Sequence, residues 1–431
     1  MNLFLGIDFG TSGARSVVID TLGGVHAEGV CTWKESLVTM ESPKLWKNGL
    51  FELLNQIPKD LCSQIRSIAI NGTSATVLLC DEMGNPVTAP LAYHHSCDQA
   101  IVERLKAIAP PDNPVLSSTS SLVKLLWWQE NLTPPPPGKL YFLHQADWLG
   151  FLLHDKLGIS DHHNSLKLGY DVVNLCYQSW LLEAIKWGGK FTPILPKVLT
   201  PGTCISPINR QLSDRFRLRP DCIIRAGTTD SIAAFIASGA SSPGEAVTSL
   251  GSTLVLKLLS PTAINVAKYG IYSHRFGDLW LTGGASNTGG AILRHFFSDR
   301  QLESLSRQIN PNTPTLLDYY PLLQPGDRFP INDPNLLPRL EPRPSNDVEF
   351  LHGLLNAIAR IESQGYQLLQ NLGASPLQRV YTAGGGAKNS TWTTIRHHHL
   401  RVPVLPSPHT QAAYGTACLA MRGELIKKSN C

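Results

Sequence analysis

The sequence predicts an α/β protein of two domains, and three observations carry that prediction. The chain has 431 residues, room for two domains of roughly 200 residues, each with its own core. A strand–loop–strand unit with a small-residue turn stands at 3–20, LFLGIDFGTSGARSVVID. A second unit of the same kind stands past the midpoint at 245–259, EAVTSLGSTLVLKLL, with Gly251-Ser252-Thr253 as its turn. In the first unit an apolar strand ends at Asp8, Gly10-Thr11-Ser12-Gly13 follows, and Arg15 opens the return strand. Glycines there permit positive φ and close backbone approach, and Thr11 and Ser12 add hydroxyl donors, as a phosphate-cradling turn requires. Asp8 sits where strand gives way to loop, a place from which a carboxylate holds Mg²⁺ through its waters. Taken singly, such a turn is equally an ordinary hairpin. The second copy favours a duplicated architecture in which two loops grip one polyphosphate from opposite sides.

Composition narrows the class. Hydrophobic residues make up 42% and charged residues 16%, the latter well below the usual quarter. Lys+Arg 37 against Asp+Glu 33 leaves +4, too little and too scattered for a nucleic-acid or anionic-membrane binder. No apolar run approaches the roughly 20 residues of a membrane span. The chain enters a strand by Leu3 and carries an acid at position 8, which argues against a signal or transit peptide. Nine dispersed cysteines without a C-x-x-C pair suggest reduced thiols in a cytoplasmic protein.

Taken in order, 25–31 reads as a third strand and 43–61 as a helix, from the spacing of Leu45, Trp46, Leu50, Leu53, Leu54 and Ile57. A short strand at 65–71 runs into Gly72-Thr73-Ser74, with a return strand at 76–81. A small helix is expected at 122–131, while Pro110–Pro114 and Pro134–Pro137 are loop punctuation. Asp147 and Asp171 need partners, because acids are seldom buried unpaired. At 223–239 a strand meets Gly227-Thr228-Thr229-Asp230, and a helix begins with Ser231. A carboxylate at that junction either caps the helix or faces a cleft. In the second half 279–293 (LWLTGGASNTGGAIL, including Gly289) and 379–389 (strand, then Gly384-Gly385-Gly386-Ala387-Lys388-Asn389) are glycine-rich loops suited to a nucleotide slot. A long helix is expected at 348–371, a small-residue helix at 414–423, and an irregular surface excursion at 321–344, which holds seven prolines. The pairs His94-His95 and His162-His163 and the run His397-His398-His399 lack companions at ligand spacing, so a zinc site is not expected.

Asp8-Phe9-Gly10-Thr11-Ser12-x-x-Arg15, Gly227-Thr228-Thr229-Asp230, Gly251-Ser252-Thr253 and Gly384-Gly385-Gly386-Ala387-x-Asn389 occur in that order. The set resembles the FGGY carbohydrate kinases over essentially the whole chain, most closely the compact xylulose-kinase-like branch that includes D-ribulose kinases. The resemblance implies two RNase-H-like domains of the actin/Hsp70/sugar-kinase type flanking a central cleft. Residues 1–237 would bind sugar and 238–431 nucleotide, with a C-terminal helix at about 411–428 able to pack back on the first domain. It implies ATP and Mg²⁺ as cofactors and a small-molecule sugar as partner, without nucleic acid, membrane or an obligate protein partner. Asp230 would be the general base, and Asp8 would organise Mg²⁺. Thr11, Ser12 and Arg15 would face the transferring phosphoryl group, and Gly251, Ser252 and Thr253 would hold the β/γ-phosphates. Gly289, Gly385, Gly386 and Asn389 would line the nucleotide site. Ser74, Ser231, Asp8 and Asp230 would meet the sugar. Larger relatives carry an aromatic-x-Asp-x-Arg segment that contacts sugar, whereas this chain has Tyr93-His94-His95-Ser96-Cys97-Asp98. The expected substrate is D-ribulose, with D-xylulose or a polyol as alternatives. A nucleotide-binding sensor or chaperone-like protein of the same superfamily is the reading from another class.

Overall fold

The computed structural model describes residues 1–33, 42–187 and 189–428. Cys431 therefore lies outside the described residues, and the other eight cysteines are free thiols. The chain divides into two compact units, Met1–Ala237 together with the segment from Gln411 on, and Ser238–Thr410.

The first unit is built on a seven-stranded sheet. At its centre β1 (Leu3–Phe9) pairs antiparallel with β2 (Gly13–Ile19), which pairs in turn with β3 (Val25–Thr32). On its other side β1 pairs parallel with β4 (Ile65–Gly72), which is flanked by Ile223–Arg225 and, further along, by Thr228–Thr229. Period-two alternation sorts β1 between two cores. Leu3, Leu5, Ile7 and Phe9 pack with Trp46, Leu50 and Leu53 of helix Pro43–Gln56. Phe4 packs with Ala413, Ala417 and Ala420 of helix Ala412–Lys428.

That second packing explains the small residues near the C-terminus. A Cβ on Gly6 would lie 2.1 Å from Ala413 O and Ala417 N, and one on Gly415 would lie 1.8 Å from Ala233 O. The helix backbone thus rests directly on β1 and on helix Asp230–Ala237, and glycine is required at both points of approach, Gly6 and Gly415. Asn71 Nδ2 donates to Thr416 Oγ1 (2.6 Å) and Ser67 Oγ to Ala420 O (3.0 Å), tying β4 to the same helix.

The second unit repeats the plan in a six-stranded sheet. Glu245–Leu250 pairs antiparallel with Leu254–Ser260 and parallel with Arg379–Ala383. The long helix Asp347–Asn371 contributes Phe350, Leu351, Leu354, Leu355 and Ile358 to its core. Glu362 on that helix receives two hydrogen bonds of 2.7 Å from Arg396, whose third nitrogen donates to Thr382 Oγ1 (2.7 Å). Both partners of this fork are buried, an arrangement that satisfies a charge pair out of water.

Three expectations change. The helix at 43–61 ends at Gln56 and restarts at Lys59–Cys62, because Pro58 lacks the amide needed to continue it. The stretch 321–344 is irregular, but it is not confined to the surface: Leu322 and Phe329 are buried in the core of the unit. The glycines at 283–290 divide their roles: a Cβ on Gly283 would meet Leu256 O at 1.9 Å and one on Gly284 the Phe329 ring at 2.4 Å, whereas Gly290 lines a cavity of this unit.

Candidate active site

In the first unit the β1–β2 turn is closed by Gly10 N donating to Gly13 O (2.9 Å), and Trp33 N donates to Ser12 O (3.1 Å). Thr11, Ser12 and Arg15 are exposed on this turn. Asp8 lies beneath it, opposite Arg15 on β2 and Asn71 on β4. Its Oδ1 is shielded from solvent and has no hydrogen-bond partner. Burial, reinforced by the negative charge of Asp230, pushes the Asp8 carboxyl up to about 7, against the opposing pull of Arg15 and the Asn71 amide. Two carboxylates within electrostatic reach, one of them with an oxygen that has no hydrogen-bond partner, form a site that favours a cation or a shared proton.

Asp230 follows the two-residue strand Thr228–Thr229 and opens helix Asp230–Ala237. Ser231 N donates to Asp230 Oδ1 (2.7 Å), a bond to the next residue at the start of the helix. Gly227 is needed where it stands, since a Cβ there would lie 2.0 Å from Ile70 O. Ser74 sits half-buried in the turn after β4. That turn is held by Thr73 N donating to Gln145 Oε1 (3.0 Å) and by the Thr73 and Thr76 hydroxyls 2.6 Å apart.

The acids that required partners have them. Asp147 accepts from His144 N and pairs with His144 Nδ1, both at 2.9 Å. Asp171 accepts from Val173 N (2.8 Å) and Asn174 N (3.0 Å). Asp98, in the stretch 93–98, caps the following helix by accepting from Ala100 N (2.8 Å). Among the described residues no group of three or more His, Cys, Asp or Glu is placed to hold a metal ion on its own.

The second unit holds a cavity of about 650 Å³ lined by Gly385, Gly386, Lys388, Asn389, Arg294 and Trp392, among others. A Cβ on Gly385 would meet nothing within 4 Å, so this glycine borders open space. Asn389 lines the cavity while capping the next helix: its Oδ1 accepts from Trp392 N (2.9 Å) and its Nδ2 donates to Ser306 Oγ (2.8 Å). Gly251, Ser252, Thr253 and Gly289 are not among the lining residues. Gly289 is buried, with φ 146°, and its would-be Cβ lies 2.7 Å from the Thr253 carbonyl carbon. Gly290 N donates to Gly251 O (2.8 Å) and Ala291 N to Ser252 O (3.1 Å), so this segment braces the turn from behind.

The N-terminal domain model of the FGGY family of carbohydrate kinases matches residues 3–237, and the C-terminal domain model matches residues 246–424. The chain belongs to the FGGY family of carbohydrate kinases. A xylulose kinase of Bacillus subtilis (strain 168) is 21% identical, covering 98% of this chain and 88% of its own. The solved structure of ligand-bound xylulose kinase from Lactobacillus acidophilus matches with a TM-score of 0.82 at 16% identity, covering 99% of this chain and 90% of that one. Plasmodium falciparum glycerol kinase with ADP matches with a TM-score of 0.80 at 16% identity, covering 99% of this chain and 90% of that one. At these identities the structures establish the shared fold, which the two sheets described above repeat.

Within this FGGY chain, two contributors carry no signal in the sequence alone. Arg294 lines the cavity and donates to Ser252 Oγ (3.4 Å), linking it to the 251–253 turn. Asn71, at the Asp8 level of β4, is fully buried. Neither carries a local motif; a cation on a helix or an amide on a strand becomes informative only once its neighbours are known. The donor set around Asp8 fits Mg²⁺, a hard cation that takes carboxylate oxygen and keeps most of its waters. The bare Oδ1 is the observation that supports this fit.

Proposed function

We propose that the chain transfers the γ-phosphoryl group of ATP to the terminal hydroxyl of a ketopentose, D-ribulose first and giving D-ribulose 5-phosphate. In this reading the first unit binds the sugar and the second binds the nucleotide in the cavity bordered by Gly385, Gly386 and Asn389. Asp230 accepts the proton of the attacking hydroxyl, whose oxygen bonds to the γ-phosphorus as the bond to ADP breaks. Phosphoryl transfer asks the protein mainly for alignment and charge stabilisation. Mg²⁺, held at Asp8 through water, would supply charge neutralisation on the phosphates. The exposed Thr11, Ser12 and Arg15 are the donors next to that point, while Ser74 and Ser231 are the candidate sugar contacts.

The observation that supports the proposal is Asp8, with its partnerless Oδ1, electrostatically coupled to Asp230. A sensor that only binds nucleotide has no use for a base and would gain stability by losing such a pair. D-Xylulose is the second reading, favoured by the xylulose kinases among the relatives. The stretch 93–98 offers no substitute for the sugar-contacting Asp-x-Arg, because Asp98 is committed to a helix cap.

The test is ADP release with MgATP across D-ribulose, D-xylulose, polyols and glycerol, with a no-sugar control. The highest kcat/KM is expected for D-ribulose. A lead for D-xylulose would replace the substrate while keeping the mechanism, and a rate that no sugar raises would overturn the proposal.

A further inference from the structure

His163, of the pair His162-His163, stands against Thr228, two residues ahead of Asp230. We propose that His163 is a positioning residue that fixes Asp230 by holding Thr228; the inference rests on the role of Asp230 proposed above.

The segment it holds is short. Thr228–Thr229 pairs with Asn71 and Gly72 of β4, and Asp230 follows at once. A two-residue strand has little ladder of its own, so its position depends on what lies on its other contacts. His163 Nδ1 lies 2.8 Å from Thr228 Oγ1. His163 is 4% exposed and Thr228 fully buried, so the bond is made away from water, where it is strongest and costly to lose.

The histidine is itself anchored. Its backbone N–H donates to Asp161 Oδ1 (2.8 Å), and so does that of Asn164 (3.0 Å). Asn164 Nδ2 closes the turn by donating to Asp161 Oδ2 (2.6 Å). Asp161 ends the strand Ile159–Asp161, which pairs with Lys197–Leu199. The His162 ring stands edge-on to that of His163, centroids 4.7 Å apart. A continuous line of fixed groups therefore runs from a strand through the 161–164 turn and His163 to Thr228, two residues ahead of Asp230. A base misplaced by about 1 Å loses on the order of a hundredfold in rate, so a bond that removes freedom at this point acts on turnover.

The experiment compares His163→Leu, which keeps bulk and removes the ring nitrogens, with His163→Asn, which keeps a polar atom near the Nδ1 position. His163→Leu is expected to lower kcat about tenfold, a partial version of that misplacement loss, with KM for MgATP unchanged, and His163→Asn to recover at least half of the loss. Thr228→Val is expected to lower kcat by the same factor, and the double variant His163→Leu/Thr228→Val to be no worse than either single one, as members of one interaction behave. Thr228→Ser retains the hydroxyl and should retain kcat, which keeps the idea testable even where the leucine variant folds poorly. Full kcat in Thr228→Val or His163→Leu alongside an inactive Asp230→Ala would overturn the inference. So would losses that simply add in the double variant. Turnover surviving in Asp230→Ala would instead overturn the base assignment beneath it.

Discussion

Asp8 and Ser249 occupy matching places in the two units. Each stands two residues before the turn glycine, Gly10 or Gly251, on the strand that pairs antiparallel with its hairpin partner and parallel with one other strand. The first unit puts a carboxylate there, leaves one oxygen without a partner and sets a second carboxylate within reach. The second unit puts a hydroxyl there, and a buried carboxylate of that unit, Glu362, is engaged by Arg396 and Thr248. The same scaffold thus keeps one acid poised and neutralises the other. An unsatisfied buried charge destabilises a fold, so its presence marks chemistry, whereas a satisfied one marks architecture.

Substitutions that break this contrast come first. Glu362→Gln leaves the buried Arg396 guanidinium without its charge partner and is expected to destabilise the protein by about 3–5 kcal/mol, read by urea unfolding, with the folded fraction retaining wild-type turnover. Asp8→Asn should act in the opposite sense on the two readouts. Turnover at saturating sugar should fall about 10–100-fold, as for groups that hold a metal through its shell. Stability above pH 7 should rise, by at most about 4 kcal/mol, the ceiling set by the shift from 3.8 to about 7. The sign follows from the raised pKa. Between 3.8 and about 7 the native Asp8 keeps a proton that the unfolded chain has lost. Native stability therefore falls as pH rises through that window, and the gain from Asn should vanish near pH 4.

Smaller effects sharpen the comparison. Arg294→Ala removes a cation from the wall of the second unit's cavity and should weaken ATP binding about tenfold, in keeping with one charge-assisted hydrogen bond; calorimetric titration with ATP reads it. The acid limb of kcat/KM should carry the Asp8 titration. A drop of about twofold between pH 8 and pH 7 is expected, from half-protonation near 7, and Asp8→Asn should flatten it.

Much of this was legible in the sequence because it is local. The strand–turn–strand units, the 379–383 strand emptying into glycines and the strand-to-helix junction at Asp230 are short patterns whose local structure needs no distant partner. What was hidden depends on partners. Gly283 and Gly284 read as a ligand loop, yet they make room for Leu256 and Phe329, and glycine spacing alone does not say what approaches. The 321–344 stretch lacks periodicity, so its buried Phe329 carried no signal. The small residues at 412–420 were visible as such, but their use required Gly6 and Gly415 to be seen face to face with other backbone. His163 was visible only as half of a histidine pair, and its link to Thr228 spans 65 positions.

The most direct test of the contrast between the units is ADP formation by Asp230→Ala with saturating MgATP, with and without sugar, paired with ADP binding to the same variant. The account predicts that the sugar-dependent rate falls by about 10²–10⁴-fold, the range for loss of a general base, while ADP affinity stays within twofold of wild type. Sugar-stimulated ADP formation at most of the wild-type rate would contradict it.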